Sequence, residues 1–180
     1  MSRRLPLACL LALLLSGGLA PDGLARSMPL PDTTERGVVW TPPDARGPAL
    51  QALNRIHALG ATAVRLTTLP RADTLFARAD TLGLTLFLDL PVSYVSASAL
   101  QDSLAAASPV LDRVRRLARR HRSVQYVGLA RYADTTVPTA CSVLSTWTSR
   151  LHSATAPLRT YYVTPFTATA DRCRQSVDRP

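Results

Sequence analysis

Residues 72–91 read Ala72-Asp-Thr-Leu-Phe-Ala-Arg-Ala-Asp-Thr-Leu82-Gly83-Leu-Thr-Leu-Phe-Leu-Asp-Leu-Pro91, and the hydrophobic period changes in the middle of the stretch. Up to Leu82 the apolar residues Leu75, Phe76, Ala79 and Leu82 recur at helical spacing and so share one face. Asp73 favours the first turn of this helix, and Gly83 suits its end. From Leu84 to Leu90 the chain is then almost continuously apolar, as expected of a parallel-sheet strand covered on both faces. A helix followed at once by such a strand is the second half of a βαβ unit.

The same alternation extends both ways. Upstream, a first strand is expected at Gly37–Thr41 and, after a proline-rich loop, a helix near Pro48–Leu59 with Leu50, Leu53, Ile56 and Leu59 on one face. Pro48 fits its first turn and Gly60 its C-terminal cap. A second strand follows at Ala63–Thr67. Downstream comes a helical region interrupted at Pro109, with Leu111, Val114, Leu117 and Ala118 inward. Then come a strand at Gln125–Ala130, a helix at Pro138–His152 with Val143, Leu144, Trp147 and Leu151 inward, and a strand at Arg159–Val163. No sixth strand is legible after Phe166. About five βα units in series predict an α/β fold, either a partial (β/α)8 TIM-type barrel or an open doubly wound sheet. The absence of GxGxxG or GxxxxGK[ST] after any strand removes the main support for the nucleotide-binding version.

The chain has 180 residues and a formal net charge of +9, and all 21 of its Lys+Arg residues are Arg. Its 47% hydrophobic and 18% charged content exclude a disordered, collagen-like or disulfide-scaffold protein. The arginines are spread along the chain except for Arg113, Arg115, Arg116, Arg119, Arg120 and Arg122. Those six fit the solvated face of a helix or an anion site, and arginine without lysine also fits a GC-rich coding bias. The reading adopted is no nucleic-acid partner.

At the N-terminus, Met1-Ser-Arg-Arg4 precedes an apolar run from Leu5 to Leu15 and small residues, the pattern of a secretory signal. The run is shorter than the roughly 20 residues that span a bilayer. Gly23-Leu-Ala25 is a better exit than Gly18-Leu-Ala20, which would leave Pro21 at the new terminus. The expected organisation is therefore a signal peptide at 1–25, a linker at 26–36 and one domain at 37–180, secreted or in the periplasm or envelope. A membrane partner enters only if the segment stays uncleaved as an anchor. Export would let Cys141 and Cys173 pair, and the βα topology brings both to loops at one end of the sheet. Two unpaired small apolar residues are the other reading. His57, His121 and His152 lie far apart and make no metal spacing, so neither a metal nor a cofactor is expected.

In a barrel, functional groups gather at the C-terminal ends of the strands. Those positions offer Trp40, Arg65, Thr67, Thr68, Asp89, Arg131, Tyr132, Asp134, Thr164 and Phe166. Rings, carboxylates and guanidinium groups together suit polyhydroxylated ligands, and Trp40, Arg65, Asp89, Tyr132 and Asp134 are the candidate saccharide-binding set. Ordinary rim packing is the alternative for each.

Leu59-Gly-Ala-Thr-Ala-Val-Arg-Leu66, Pro70 and Phe76–Pro91, followed by Arg119-Arg-His-Arg-Ser-Val-Gln-Tyr-Val-Gly-Leu129, occur in the order seen in the glycoside hydrolase barrels of the β-galactosidase, β-glucuronidase and cellulase-like families. The chain resembles the N-terminal part of that barrel over roughly Gly37–Tyr132. The resemblance implies a sugar-handling mouth, a general acid/base glutamate after an asparagine at the end of strand four, and a nucleophilic glutamate from strand seven. It matches Arg65 to the arginine that steadies the nucleophile.

The departures bear on activity. Aligning His121-Arg-Ser-Val124 with the family segment puts Arg131 and Tyr132 where Asn-Glu stands, and the family histidine after strand two falls on Thr68. Hydrolysis needs two opposed carboxyl groups. The single glutamate, Glu35, precedes strand one and is expected at the opposite end, which leaves only Asp89 and Asp134 near strand ends. Without its family partner, Arg65 would pair with Asp89. A full barrel takes about 250 residues, against about 155 after cleavage. The chain is then the front of a longer product, a module that dimerises, or a decayed product. The expected function is a carbohydrate-related, glycoside-hydrolase-like domain that lacks the glutamate pair and at most binds saccharide. The second reading is an envelope interaction domain binding itself or a protein partner through an exposed sheet edge. An active O-glycosyl hydrolase within a longer chain is the third.

Overall fold

The computed structural model describes residues 36–92, 97–152, 158–165, 170–173 and 177, and the backbone alone over 97–107. Chain contacts separate Met1–Thr34 from Glu35–Pro180, and every described residue belongs to the second unit. The expected signal peptide, Glu35 and Phe166 lie outside the described residues, as does the expected linker apart from Arg36.

Five strands and four helices alternate: β1 Gly37–Trp40, α1 Arg46–Ala58, β2 Ala63–Leu66, α2 Thr74–Leu82, β3 Thr85–Asp89, α3 Ala97–Arg120, β4 Val124–Arg131, α4 Pro138–His152 and β5 Arg159–Val163. Among the described residues this makes four complete βα units and a fifth strand. The expected break at Pro109 is corrected, since α3 runs through it as one helix of 24 residues. An internal proline removes one backbone bond, and the long apolar stripe of Leu111, Val114 and Leu117, all buried, holds the second part of the helix in place. Helices α1 and α2 end as read. Gly60 and Gly83 have φ of 85° and 68°, a left-handed conformation that side-chain-bearing residues adopt only at a cost.

All four strand pairings are parallel and the spatial order is β1-β2-β3-β4-β5. A doubly wound sheet reverses direction partway, and this one does not. With right-handed crossovers, sequential order places every helix on the same face of the sheet, which is the winding of a barrel. On that face Val64, Leu66, Leu86, Leu88, Val127 and Leu129 are buried against Leu53, Phe76, Val114, Leu144 and Trp147. Burying each such side chain contributes about 1.5–3 kcal/mol.

The alternate residues form the other, concave face. Val39, Arg65, Phe87, Tyr126 and Arg159 are neighbours in register across all five strands. Val39 is 67% exposed, and Phe87 stacks on Tyr126 with ring centroids 4.1 Å apart. The expectation that β3 is covered on both faces is therefore corrected: helices cover one face, and Phe87 is only half-buried on the other. At the N-terminal end of the strands, Asp80 of α2 fastens the turn before β4. Its carboxylate lies 2.7 Å from His121 Nδ1 and accepts the Ser123 amide at 2.8 Å. Burial pushes the Asp80 carboxyl up, but hydrogen bonds from Ser123 and His121 outweigh it and leave the group below the ordinary carboxylate range.

Candidate functional site

Asp89 ends β3 on the concave face and is 1% exposed. A carboxylate removed from water must be paired and hydrogen-bonded. Arg65, one strand away, donates Nε to both carboxylate oxygens at 3.1 and 3.0 Å and sets Nη2 3.0 Å from Oδ2. Tyr161, two strands away on the other side, donates its hydroxyl to Oδ1 at 2.6 Å. Arg131 Nε stands 3.9 Å from Oδ2. Burial and then the hydrogen bond to Asp89 push the Tyr161 phenol well above its usual value, so it stays a donor. Burial pulls the Arg65 guanidinium down, the bond to Asp89 more than offsets this, and the group ends above its ordinary value.

Backbone geometry makes the cluster possible. Asp89, Gly128 and Tyr161 are consecutive in register, and glycine leaves the gap through which the tyrosine reaches the aspartate. Between Gly128 and Arg131 the β4–β5 register shifts: three steps along β4 match two along β5, so Gly128 pairs with Tyr161 and Arg131 with Val163. This bulge turns Arg131 onto the concave face. The next residue, Tyr132, has φ of 59° and is 43% exposed, while its amide still bonds the Val163 carbonyl at 2.7 Å.

One rung toward the strand N-termini lies an aromatic floor. Tyr161 meets Phe87 edge-on at 5.9 Å, with the Arg65 guanidinium 5.4 Å from the Tyr161 ring and that of Arg159 5.9 Å from the Tyr126 ring. A cleft of about 400 Å³ opens over this face, lined by Val39, Ala63, Arg65, Phe87, Tyr161 and Val163 among others. Apolar walls with a few fixed polar groups are the usual make-up of a ligand site.

The residues singled out from sequence divide three ways. Arg65 and Asp89 meet, and Tyr132 stands at the same end of the sheet, one residue after Arg131. Asp134 lies further on, where its Oδ1 accepts the Thr136 amide at 3.1 Å and hydroxyl at 2.6 Å in the turn leading to α4. Trp40 does not join them. It pairs in register with buried Leu66 and packs against the core on the helix side. Thr67 shares a 2.6 Å hydrogen bond with Thr41. Cys141 and Cys173 are joined in a disulfide with Cα atoms 4.7 Å apart, and the neighbouring Arg172 amide bonds the Thr135 carbonyl. Sequence reasoning missed Tyr161 and Gly128. Each lay inside an expected strand, but only the register brings them to Asp89.

No protein-family model matches the chain, and no curated protein matches it. Solved structures do. A GH2 β-galacturonidase from Eisenbergiella tayi bound to galacturonate is similar at 16% identity and TM-score 0.60, over 72% of this chain and 24% of that one. A β-glucuronidase from an uncultured Clostridium species is similar at 14% identity and TM-score 0.63, over 79% and 28%. A Ruminococcus gnavus β-glucuronidase in complex with D-glucaro 1,5-lactone is similar at 13% identity and TM-score 0.64, over 79% and 26%. The chain spans about a quarter of the length of these proteins. The likeness is one of fold, and the family read from the sequence motifs is the one whose structures the fold resembles.

Proposed function

We propose that this chain is an exported, glycoside-hydrolase-like partial barrel that binds saccharide at the C-terminal end of its sheet and supplies no catalytic glutamate pair of its own. The observation that carries the reading is the buried Asp89 held between Arg65 and Tyr161 on an open concave face. Buried ion pairs are often replaceable by apolar residues without loss of stability, so a fixed ion pair beside an aromatic floor favours ligand binding. The ring faces suit the C–H faces of a pyranose, and the guanidinium groups suit its oxygens. The solved structures that bear galacturonate and a glucaro-lactone point to acidic sugars as the first ligands to try.

Hydrolysis is not part of this reading. Both Asp89 oxygens are engaged by Arg65, with Tyr161 also on Oδ1, and the motif alignment sets Arg131-Tyr132 against the acid/base segment of the family that the sequence resembles. Titration of the purified protein with glucoside, galactoside, glucuronide and galacturonide probes is expected to give saturable binding without aryl-glycoside turnover. Turnover abolished by Asp89→Asn or Asp134→Asn would overturn the non-catalytic half of the proposal. A second reading, a protein-interaction domain, is favoured by Val39, which stands exposed on the edge strand β1. Concentration-dependent self-association with no glycan binding would select it instead.

A further inference from the structure

We infer that the concave cleft is a binding site for a small aromatic monocarboxylate, with the Arg65 guanidinium as the group that reads the carboxylate; this goes beyond the saccharide reading and does not rest on it. The cleft runs from the N-terminal ends of β1 and β2, at Gly37 and Ala63, to Val163 at the end of β5. Residues of β1 and β5, the outermost strands, line it together, so the sheet curls into a trough around it. Of its described lining, Arg65 and Tyr161 alone bear polar side-chain atoms, and the Tyr161 proton is committed to Asp89. A pyranose at the C-terminal ends of the strands can keep its hydroxyls in water. Inside the cleft most of them would lose that water and find no partner, which is costly. An aromatic ring with one anionic group meets neither penalty, and a volume of about 400 Å³ is within the ordinary range of small-molecule sites.

The carboxylate has a place prepared for it. A guanidinium carries its N–H donors in a rigid planar fork. Arg65 turns the Nε–Nη2 edge of that fork to Asp89, and Nη1 has no hydrogen-bond partner among the described residues. The end of the fork, Nη1 with the outer hydrogen of Nη2, is therefore unspent, and it is an edge that holds a carboxylate bidentately. Asp89, itself 1% exposed, and Tyr161 are positioning residues that act through Arg65. Arg131, 3.9 Å from the same aspartate, offsets the repulsion that Asp89 alone would exert on a second anion. Phe87, held by its stacking on Tyr126, and the ring of Tyr161 offer an aromatic guest face and edge contacts. A second copy of this chain fits less well, because face-to-face burial would bring the Arg65 and Arg159 of both copies into one apolar interface.

The test titrates the whole chain, by calorimetry, with 2-naphthoate, with its neutral amide 2-naphthamide, and with galacturonate as a carboxylate that lacks an aromatic body. Saturable 2-naphthoate binding is expected, with 2-naphthamide weaker by about tenfold or more and galacturonate unable to displace the naphthoate. The variant that isolates the fork is Val39→Asp. Val39 is exposed and in register with Arg65, so the introduced carboxylate competes with the ligand for the same N–H groups without disturbing the core. Its melting temperature is expected within about 3 °C of wild type and its naphthoate affinity about tenfold or more lower. Val39→Asn, polar but uncharged, should bind within about threefold of wild type. No naphthoate binding up to about 5 mM, equal affinity for the amide, displacement by galacturonate, or unchanged affinity in Val39→Asp each overturns the inference. So does concentration-dependent self-association that 2-naphthoate fails to reverse, which would give the cleft to a second copy. Glycoside binding without naphthoate binding removes this inference and leaves the saccharide reading standing, and naphthoate binding without glycoside binding does the reverse.

Discussion

Gly128 lies against the Asp89 carboxylate so closely that a Cβ at position 128 would stand 2.5 Å from Oδ1, and 2.9 Å from Cζ and Oη of Tyr161. The missing side chain is thus part of the polar cluster: it is the space through which β5 contributes a hydroxyl to a carboxylate on β3. Gly128→Ala is expected to destabilise the fold by about 1–3 kcal/mol through overpacking, measured by denaturant unfolding. A loss under about 0.5 kcal/mol would show that the aspartate and tyrosine move apart freely.

The partners of Asp89 should rank by what their removal leaves behind. Arg65→Ala leaves a buried carboxylate without its close, hydrogen-bonded ion-pair partner, with only Arg131 remaining 3.9 Å away, which costs about 3 kcal/mol. Tyr161→Phe removes one hydrogen bond to a charged group, worth about 1.5–3 kcal/mol. Because the phenol is held well above its usual value, the Tyr161→Phe loss should not shrink as the medium is raised from about pH 7 to pH 9. Equilibrium unfolding of the two variants checks the order, and a larger loss in Tyr161→Phe would contradict it.

Asp80 governs acid sensitivity at the other end of the strands. Its folded carboxyl sits below the ordinary range, so the charged form stabilises the fold. That contribution is fully present above the unfolded carboxylate value and is lost as pH falls through the folded one. Asp80→Asn should therefore be less stable than wild type at neutral pH, with the gap steady down to about pH 5 and closing below about pH 4. A gap that widens on acidification would reverse the sign.

The Cys141–Cys173 bond closes a loop of sequence separation 32 and fastens the segment around Asp171 to the first turn of α4. In the chain-entropy model such a bond stabilises by about 3–4 kcal/mol. Reduction, or Cys141→Ser with Cys173→Ser, is expected to lower the melting temperature by about 8 °C or more. Non-reducing peptide mapping of protein purified without reductant shows whether the bond forms, and two free thiols there would reject it.

The sequence by itself determined the order and type of the elements. Helical spacing at Leu75, Phe76, Ala79 and Leu82, the stop at Gly83 and the apolar run after it are local properties, set by period and by backbone freedom within a few residues. Its ordered motifs also pointed to the glycoside hydrolase barrels whose structures the fold resembles. Tertiary structure decided everything that depends on register. Whether a strand residue faces helices or cleft turns on a shift of one position, and no local signal marks the bulge between Gly128 and Arg131. Trp40 and Arg65 looked equivalent as residues at strand ends, yet pairing with Leu66 and Phe87 sends them to opposite faces. Pro109 reads as a break because a proline costs a backbone bond, and long-range packing of α3 absorbs that loss. Tyr161 becomes a partner of Asp89 across 72 residues only because two parallel pairings and one glycine align them.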